Sequence, residues 1–162
     1  KPEVPAELIG LYRPEFRLPD LNGGLHSVAE WDGRVLLINF WATWCAPCRE
    51  EIPAFLDVRR QYQGKGFEIV GIAIDQPEFV TEYARDFGIT YPLLYGGEDA
   101  IAVGSLYGNR QGTLPYSVLI DAKGHIAYIH KSAVLRESEL SSMVAGMLGG
   151  AAENEPKRSK LP

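Results

Sequence analysis

Residues 35–53 read VLLINFWATWCAPCREEIP, and this stretch decides the fold. Its first part, residues 35–41, is a continuous apolar run interrupted only by Asn39. Such a run is typical of a strand that is buried on both faces, as in sheets flanked by helices. The apolar spacing of the last part predicts a helix. Two cysteines, Cys45 and Cys48, therefore lie where a buried strand gives way to a helix.

The helix, predicted over residues 47–62, gives the cysteine pair a chemical role. Unpaired backbone N–H groups and the positive end of the helix dipole favour a thiolate at a helix N-terminus. A cysteine there can have its pKa lowered from about 8.5 into the range of about 3.5–7.5, and the thiolate is the nucleophile in disulfide exchange. Pro47 suits the first turn, because its missing N–H costs little there. We predict Cys45 as the attacking thiolate and Cys48, one turn later, as the resolving thiol.

These two cysteines are the only ones in the chain, which excludes a disulfide-stapled scaffold and a four-cysteine zinc site. Other interpretations of the pair are a metal site shared between subunits and a purely structural disulfide. The three histidines, His26, His125 and His130, lie far from the pair in sequence, and so short a loop gives little chain-entropy stabilisation. Redox chemistry is therefore favoured. We expect no metal and no cofactor besides the Cys45–Cys48 disulfide.

Strands and helices alternate along the rest of the chain. A second buried strand spans residues 67–74, and Asp75 is predicted to cap the helix that follows. A short strand, another helix, a hairpin and a closing helix come next, the last ended by Gly149 and Gly150. The turn at residues 22–24 predicts a further hairpin near the N-terminus. The order β-α-β-α-(β)-α-β-β-α predicts an α/β fold with a central mixed sheet flanked by helices on both faces.

Length and composition are those of an ordinary globular chain. The 162 residues are 46% hydrophobic and 23% charged, which suits a single domain. The formal charge of −5 offers no basic surface for nucleic acid or an anionic membrane, and no apolar run approaches the roughly 18–20 residues of a membrane span. We divide the chain into a loosely held lead-in (1–14), one domain (15–150) and a flexible tail (151–162).

The segment quoted first resembles the active-site segment of the thioredoxin superfamily. Residues 37–53 carry the resemblance and are most similar to the TlpA/ResA-like branch (DsbE/CcmG-related), which includes thiol-disulfide proteins of cytochrome c maturation. Residues 16–23, FRLPDLNG, resemble that branch and the peroxiredoxin-like proteins. Over roughly residues 18–148, the resemblance implies a thioredoxin-like fold with an N-terminal β-hairpin and a central insertion.

The resemblance also implies where a substrate binds. Residues 113–115, TLP, resemble the superfamily's cis-proline loop, which lies against the C-x-x-C pair and offers backbone groups to an extended chain. A cis X-Pro bond is rare enough to be a placed feature, and an ordinary trans proline at a strand entry is the alternative. Trp44 is expected to pack at the rim of the site and to shield it. We assign substrate binding to six residues: Trp44, Ala46, Pro47, Thr113, Leu114 and Pro115.

Glu51 is the third predicted catalytic residue, beside Cys45 and Cys48. It follows Cys48 by three residues, where ResA-like members have an acidic residue near the active site. A partly buried carboxyl has a raised pKa and can exchange protons with Cys48, whereas a solvent-facing one would only favour the helix dipole. Asn39 stands where ordinary thioredoxins have a buried aspartate, and an amide cannot act as a general base. This departure adds weight to Glu51, while Glu50 is expected to stay exposed.

By resemblance, the protein is a protein-disulfide oxidoreductase that works in the reducing direction on extracytoplasmic clients. Cys45 would attack a client disulfide, Cys48 would resolve the mixed disulfide, and an upstream reductant, of a kind that can be membrane-bound, would restore the thiols. We expect a monomer in the periplasm or otherwise outside the cytoplasm, with no nucleic-acid partner. Because the first residue is Lys1 rather than Met, a removed N-terminal segment could have served as signal or anchor.

Two alternatives remain open. A peroxiredoxin-like peroxide reductase is suggested by residues 16–23, but those enzymes place a Pro-x-x-x-Thr segment before the cysteine, and here Thr43 is paired with Asn39 at the proline position. A non-enzymatic thioredoxin-fold module, either docking a partner or carrying metal as a chaperone, would need further soft ligands. The two methionines, Met143 and Met147, lie in the closing helix at core spacing.

Overall fold

The computed structural model describes residues 4–154 and confirms the predicted fold class. The strands are β1 (Arg17–Pro19), β2 (Leu25–Ser27), β3 (Val35–Trp41), β4 (Phe67–Ile74), β5 (Leu93–Gly96), β6 (Tyr116–Ile120) and β7 (Ile126–Lys131). The α-helices are α1 (Ala46–Gln61), α2 (Pro77–Phe87), α3 (Glu98–Leu106) and α4 (Glu137–Asn154), and two short 3-10 helices span Ala6–Leu8 and Val28–Trp31. The main sheet has the order β5-β4-β3-β6-β7, while β1 and β2 form a separate antiparallel hairpin.

The sheet is mixed because its two halves are connected differently. Strands β3, β4 and β5 run parallel, since helical crossovers join them. Strand β6 is antiparallel to both β3 and β7, and a tight hairpin joins β6 to β7. The central position therefore falls to β3, whose carboxyl end leads directly into the cysteine pair.

Alternation along β3 decides which of its side chains reach that pair. All seven residues of β3 are buried. Leu37 and Trp41 pack into the core that includes side chains of α1 and α4, whereas Ile38 and Phe40 pack into the core on the α3 side. Successive side chains of a strand point to opposite faces, so Asn39 shares the α1 side. The polar interruption in the apolar run thus faces the helix that carries the cysteines.

Residues 4–14 are attached to the domain rather than loosely held. The Arg13 guanidinium is buried and makes paired hydrogen bonds to Asp32, at 2.9 and 2.8 Å. The Tyr107 hydroxyl donates to the carbonyl of Pro14 at 2.5 Å, and the Gly10 N–H donates to a β7 carbonyl at 2.7 Å. Proline spacing suggested a loose segment, but these long-range partners could not be identified from it. Residues 1–3 of the predicted lead-in lie outside the described residues.

The closing helix extends further than its sequence predicts. Helix α4 continues to Asn154, past Gly149 and Gly150, which were predicted to end it. The first four residues of the predicted tail are therefore helical, and residues 155–162 lie outside the described residues. Within the described part of the chain, no helix is both long and apolar enough to cross a membrane.

Candidate active site

The two cysteines lie where β3 hands over to α1, as predicted. Cys45 is the N-cap residue of α1 and has extended backbone angles, while Cys48 occupies its first turn. They form a disulfide with a Cα–Cα distance of 5.3 Å, within the ordinary range for such a bridge. Cys45 retains 7% of its surface exposed and Cys48 retains none. An incoming partner can therefore reach Cys45 more readily than Cys48, and the order of attack stays a prediction.

The loop before Cys45 is held by a residue from the neighbouring strand. Asp75, directly after β4, accepts hydrogen bonds from the backbone N–H of Thr43 at 2.9 Å and from its hydroxyl at 2.5 Å. The Arg49 guanidinium donates to the Thr43 carbonyl at 3.0 Å. Asp75 was predicted to cap α2, but Gln76 is the N-cap residue and makes no side-chain cap. The carboxylate instead fixes the segment that presents Cys45.

Glu51 is fully buried below the cysteines. It lies three residues after Cys48 on α1, so the two side chains share a helix face. One carboxyl oxygen accepts the backbone N–H of Leu135 at 2.7 Å, and the other accepts the Asn39 amide at 3.2 Å. Burial raises the pKa of Glu51 to about 7, even though both donors favour the ionised form. A carboxyl with this pKa is populated in both protonation states at neutral pH, as proton transfer requires.

A second polar contact connects Asn39 to the neighbouring strand. The Asn39 amide also donates to the hydroxyl of Ser117 on β6, at 2.9 Å. Asn39 and Ser117 are register partners in the β3–β6 ladder, and both are almost completely buried. Asn39 was identified from sequence, whereas Ser117 and Leu135 were not. Ser117 stands one residue beyond Tyr116 in an otherwise apolar strand, and that polar interruption was the available signal.

The loop predicted to bind substrate is held in place by an asparagine. The Leu114–Pro115 peptide bond is cis. Asn109 is buried, accepts the Thr113 N–H at 3.1 Å and donates to the Thr113 carbonyl at 2.8 Å. The Pro115 carbonyl accepts the N–H of Ser132 at 3.2 Å. Leu114 packs against the core cluster that contains both cysteines, and the contact of this loop with the pair stays a prediction. Asn109 was missed from sequence.

The outer side of the helix start is exposed. Ala46 and Pro47 face solvent, and Trp44 has 67% of its surface exposed. The packed, shielding position expected for Trp44 is therefore not observed, because its ring projects outward from the loop. Tyr83 and Phe87 of α2, which the sequence analysis did not single out, stack with ring centroids 4.3 Å apart, and Phe87 is exposed. The cysteines thus have buried polar groups on one side and solvent-exposed aromatic side chains on the other.

The cysteine pair has no companion ligands in the described region. Among residues 4–154, no three or more His, Cys, Asp and Glu side chains lie close enough together to hold a metal ion. Tyr91, Tyr107 and Tyr116 are buried in the core. Burial raises the pKa of Tyr116 to about 12, so its phenol stays neutral.

A redox disulfide at a helix start, a buried carboxyl one turn further along that helix and a cis-proline loop before β6 define a class of proteins that exchange a dithiol for a disulfide on a thioredoxin-like scaffold. Known proteins agree with this class. A sequence model described as the AhpC/TSA family matches residues 9–129. The chain belongs to the AhpC/TSA family and is a thiol-disulfide oxidoreductase related to ResA.

The individual relatives agree in sequence and in structure. The thiol-disulfide oxidoreductase ResA of Geobacillus thermodenitrificans is 33% identical over 136 residues, which cover 83% of this chain and 76% of the relative. ResA of Halalkalibacterium halodurans is 29% identical over 123 residues, covering 75% and 68%. The crystal structure of a thioredoxin-family thiol:disulfide interchange protein from Chlorobium tepidum superposes with a TM-score of 0.77 at 31% identity, covering 86% of this chain and 97% of that one.

Proposed function

We propose that the protein works as a reductase of disulfides in extracytoplasmic client proteins. The observation that carries the proposal is the arrangement of the pair: Cys45 partly accessible at a helix N-terminus, and Cys48 fully buried within one turn of a buried carboxyl. A helix N-terminus stabilises the attacking thiolate, and a buried second cysteine reacts only with its neighbour. This arrangement separates attack on a client from resolution of the intermediate.

The reaction balances without any cofactor. The Cys45 thiolate attacks one sulfur of a client disulfide, forms a Cys45–client disulfide and releases the other client sulfur as a thiolate. Cys48 then loses its proton and attacks Cys45, which forms the Cys45–Cys48 disulfide and releases the second client thiolate. Two electrons pass from protein to client, and each client thiolate takes up a proton. An upstream thiol reductant, of a kind that can be membrane-bound, returns the two electrons.

Glu51 is proposed to take the proton that Cys48 loses. It lies on the same helix face as Cys48, and burial raises its pKa to about 7, so it can accept a proton at neutral pH and release it later. The client chain is assigned to the surface formed by Trp44, Ala46, Pro47 and the cis-proline loop at residues 113–115. The backbone of that loop precedes β6 and is fixed by Asn109, so it is preorganised for an extended chain.

The proposed clients are proteins whose cysteines must be reduced before metal or haem attachment, such as apocytochrome c. Support comes from the resemblance to the TlpA/ResA-like branch and from the likeness to ResA relatives. Stable client disulfides occur in oxidising compartments, which favours a site outside the cytoplasm. We propose that the protein acts there as a monomer, without nucleic acid.

Trapping of the mixed disulfide tests the proposal. Cys48→Ala leaves the attacking thiolate but removes the resolving thiol, so a covalent Cys45–client species should accumulate under non-reducing electrophoresis. The matched control, Cys45→Ala, should trap none. Absence of any adduct, together with no reduction of a small disulfide by the wild-type protein, would overturn the proposal. Consumption of peroxide without a disulfide substrate would favour the peroxide-reducing alternative instead.

The direction of electron flow needs a separate measurement. The reduction potential of the Cys45–Cys48 pair, determined against glutathione, should lie near the value of about −270 mV that is typical of a reductant such as thioredoxin. A value near −120 mV is typical of a strong oxidant and would reverse the proposed direction.

A further inference from the structure

A continuous series of hydrogen-bonded side chains connects strand β6 of the sheet to the active-site helix α1. It runs from Ser117 on β6 through Asn39 on β3 to Glu51 on α1. Each of the three side chains is at least 98% buried. Burial of polar groups this deep in a protein costs free energy unless the groups are hydrogen-bonded. These three linked polar side chains are therefore unexpected in a core that apolar residues could fill.

Each hydrogen bond in this series of side chains can be assigned to one donor and one acceptor. An asparagine amide has two N–H donors and one carbonyl acceptor. The Asn39 nitrogen uses one donor on the Ser117 hydroxyl at 2.9 Å and the other on the Glu51 carboxyl at 3.2 Å. If the amide turned by half a rotation, its carbonyl oxygen would face an ionised carboxylate, and the two would repel each other. The Ser117 hydroxyl accepts from the same nitrogen, and this contact holds that end of the amide between β6 and the carboxyl of Glu51.

We propose that Ser117 is a positioning residue for the active-site carboxyl: its hydroxyl holds the Asn39 amide so that an N–H faces Glu51 and stabilises the ionised form. Ser117 touches none of the reacting atoms and acts through Asn39. The proposal rests on the proposed role of Glu51 as the proton acceptor for Cys48. It adds that Ser117, on the neighbouring strand β6, influences this role. As a result, Glu51 is ionised over a wider pH range than burial alone would permit.

The other groups around Glu51 do not obscure the effect of the Asn39 contact on the ionisation of its carboxyl. The second stabilising donor is the backbone N–H of Leu135, which no side-chain substitution removes. Tyr91, before β5, is the buried phenol that senses the Glu51 charge; burial and that charge raise its pKa, so it stays neutral through the relevant range. On α1 itself, the other titratable groups that face Glu51 are the thiols of the reduced pair, which do not titrate in the disulfide form. The oxidised protein therefore isolates the carboxyl.

The test is the titration midpoint of the Glu51 carboxyl in the oxidised protein, followed by carbon NMR and assigned by comparison with Glu51→Gln. Ser117→Ala removes the hydroxyl and only opens space, so the fold should persist. We expect its midpoint to rise by roughly half a pH unit, and that of Asn39→Leu, which removes the donor itself, by roughly one unit, equivalent to a tenfold greater proton affinity. Ser117→Thr, which keeps a hydroxyl at the same position, should return the midpoint to the wild-type value.

The outcomes separate a positioning role from a merely structural one. A polar pair that only fills the core would change the melting temperature in Ser117→Ala but leave the Glu51 midpoint in place, and this result would overturn the proposal. Equal midpoints in Ser117→Ala and Ser117→Thr would overturn it as well. Because the titration needs no client, it is independent of the proposed function. Shifted midpoints with an unchanged pH profile of disulfide reduction would sustain the positioning role and overturn the proton-acceptor role of Glu51.

Discussion

Glu50 and Glu51 are neighbours in the first turns of α1, yet they belong to two different regions of the molecule. Glu50 lies on the outer region with Trp44, Ala46 and Pro47, where side chains meet solvent. Glu51 lies in the inner region with Cys48, where nothing is exposed. One step along a helix rotates a side chain by about 100°, which is enough to carry a carboxyl from water into the core.

The difference shows how one helix start serves two purposes. In the proposed mechanism the outer region gives a client access to Cys45, and it needs no precise packing because clients differ. The inner region is proposed to take the proton that Cys48 must lose, and it needs fixed donors because a buried carboxyl responds to each of them. The disulfide joins the two regions, since Cys45 belongs to the first and Cys48 to the second.

The largest effect is expected when the Cys45–Cys48 pair, which joins the two regions, loses one of its thiols. Cys45→Ser and Cys48→Ser should each reduce disulfide turnover to the uncatalysed background. Alkylation of the remaining thiol by iodoacetamide, followed by mass spectrometry, separates the two variants. The Cys45 thiol left in Cys48→Ser should react about two orders of magnitude faster than the Cys48 thiol left in Cys45→Ser, because it is partly accessible and lies at the helix end. Equal alkylation rates would contradict the division into an outer and an inner cysteine.

The next largest effect is expected from the two neighbouring carboxyls. Glu51→Gln should slow disulfide reduction about 100-fold at neutral pH, the lower end of what a positioned proton-transfer group contributes. It should also abolish the rise of the rate near pH 7, which reflects ionisation of Glu51. Single-turnover rates with a small-molecule disulfide between pH 5 and 9 provide the measurement. The matched control, Glu50→Gln, should stay within about twofold of wild type, and a similar loss in both variants would contradict the assignment.

The sheet and the position of the cysteine pair were predictable from sequence because their signals are local. The apolar run of β3, the hairpins and the C-x-x-C pair each depend on residues adjacent in the chain, and the structure places them as expected. Glu51 was identified by its position three residues after Cys48, but the sequence left a buried and a solvent-facing carboxyl both open, and the structure buries it. A local pattern suffices wherever one element's own periodicity sets the outcome.

The inner region was predictable only in part because its partners come from distant segments. Ser117 reaches Asn39 across 78 positions of sequence, and the Leu135 N–H reaches Glu51 across 84. Asp75 looked like a helix cap because its local context is the same whether it caps α2 or holds Thr43. Such contacts depend on the register across a sheet and on the path of a loop, and neither can be predicted from a single short segment of sequence.

The buried carboxyl should also appear in the stability of the oxidised protein. The folded carboxyl, with its pKa of about 7, binds a proton more tightly than the unfolded one at its ordinary value of 4.5. The contribution of Glu51 to the free energy of unfolding should therefore be greatest below pH 4.5 and fall by about 3 kcal/mol as the pH rises through 7. Denaturant unfolding of wild type and Glu51→Gln across this range provides the measurement.

The difference between the two proteins isolates Glu51 from other titrating groups. His26, whose pKa is raised by hydrogen bonds to Glu30 and Asp20, also loses stabilising contacts as the pH rises, but it does so equally in both proteins. The loss of stability between pH 4.5 and 7 should be smaller in Glu51→Gln by the full contribution of the carboxyl. Parallel curves for the two proteins would show that Glu51 ionises in the folded state as readily as in the unfolded chain.

The smallest effect is expected from the most exposed part of the outer region. Trp44 has 67% of its surface exposed, so Trp44→Ala should change the free energy of unfolding by no more than about 0.5 kcal/mol. If Trp44 contacts the client, the variant should raise KM for a protein disulfide about tenfold, equivalent to about 1.4 kcal/mol of binding, and leave the rate with a small disulfide unchanged. Leu25→Ala, on the similarly exposed hairpin strand β2, is the matched control. Equal KM values for the two variants would remove Trp44 from the client surface and leave Ala46, Pro47 and the cis-proline loop as the proposed contacts.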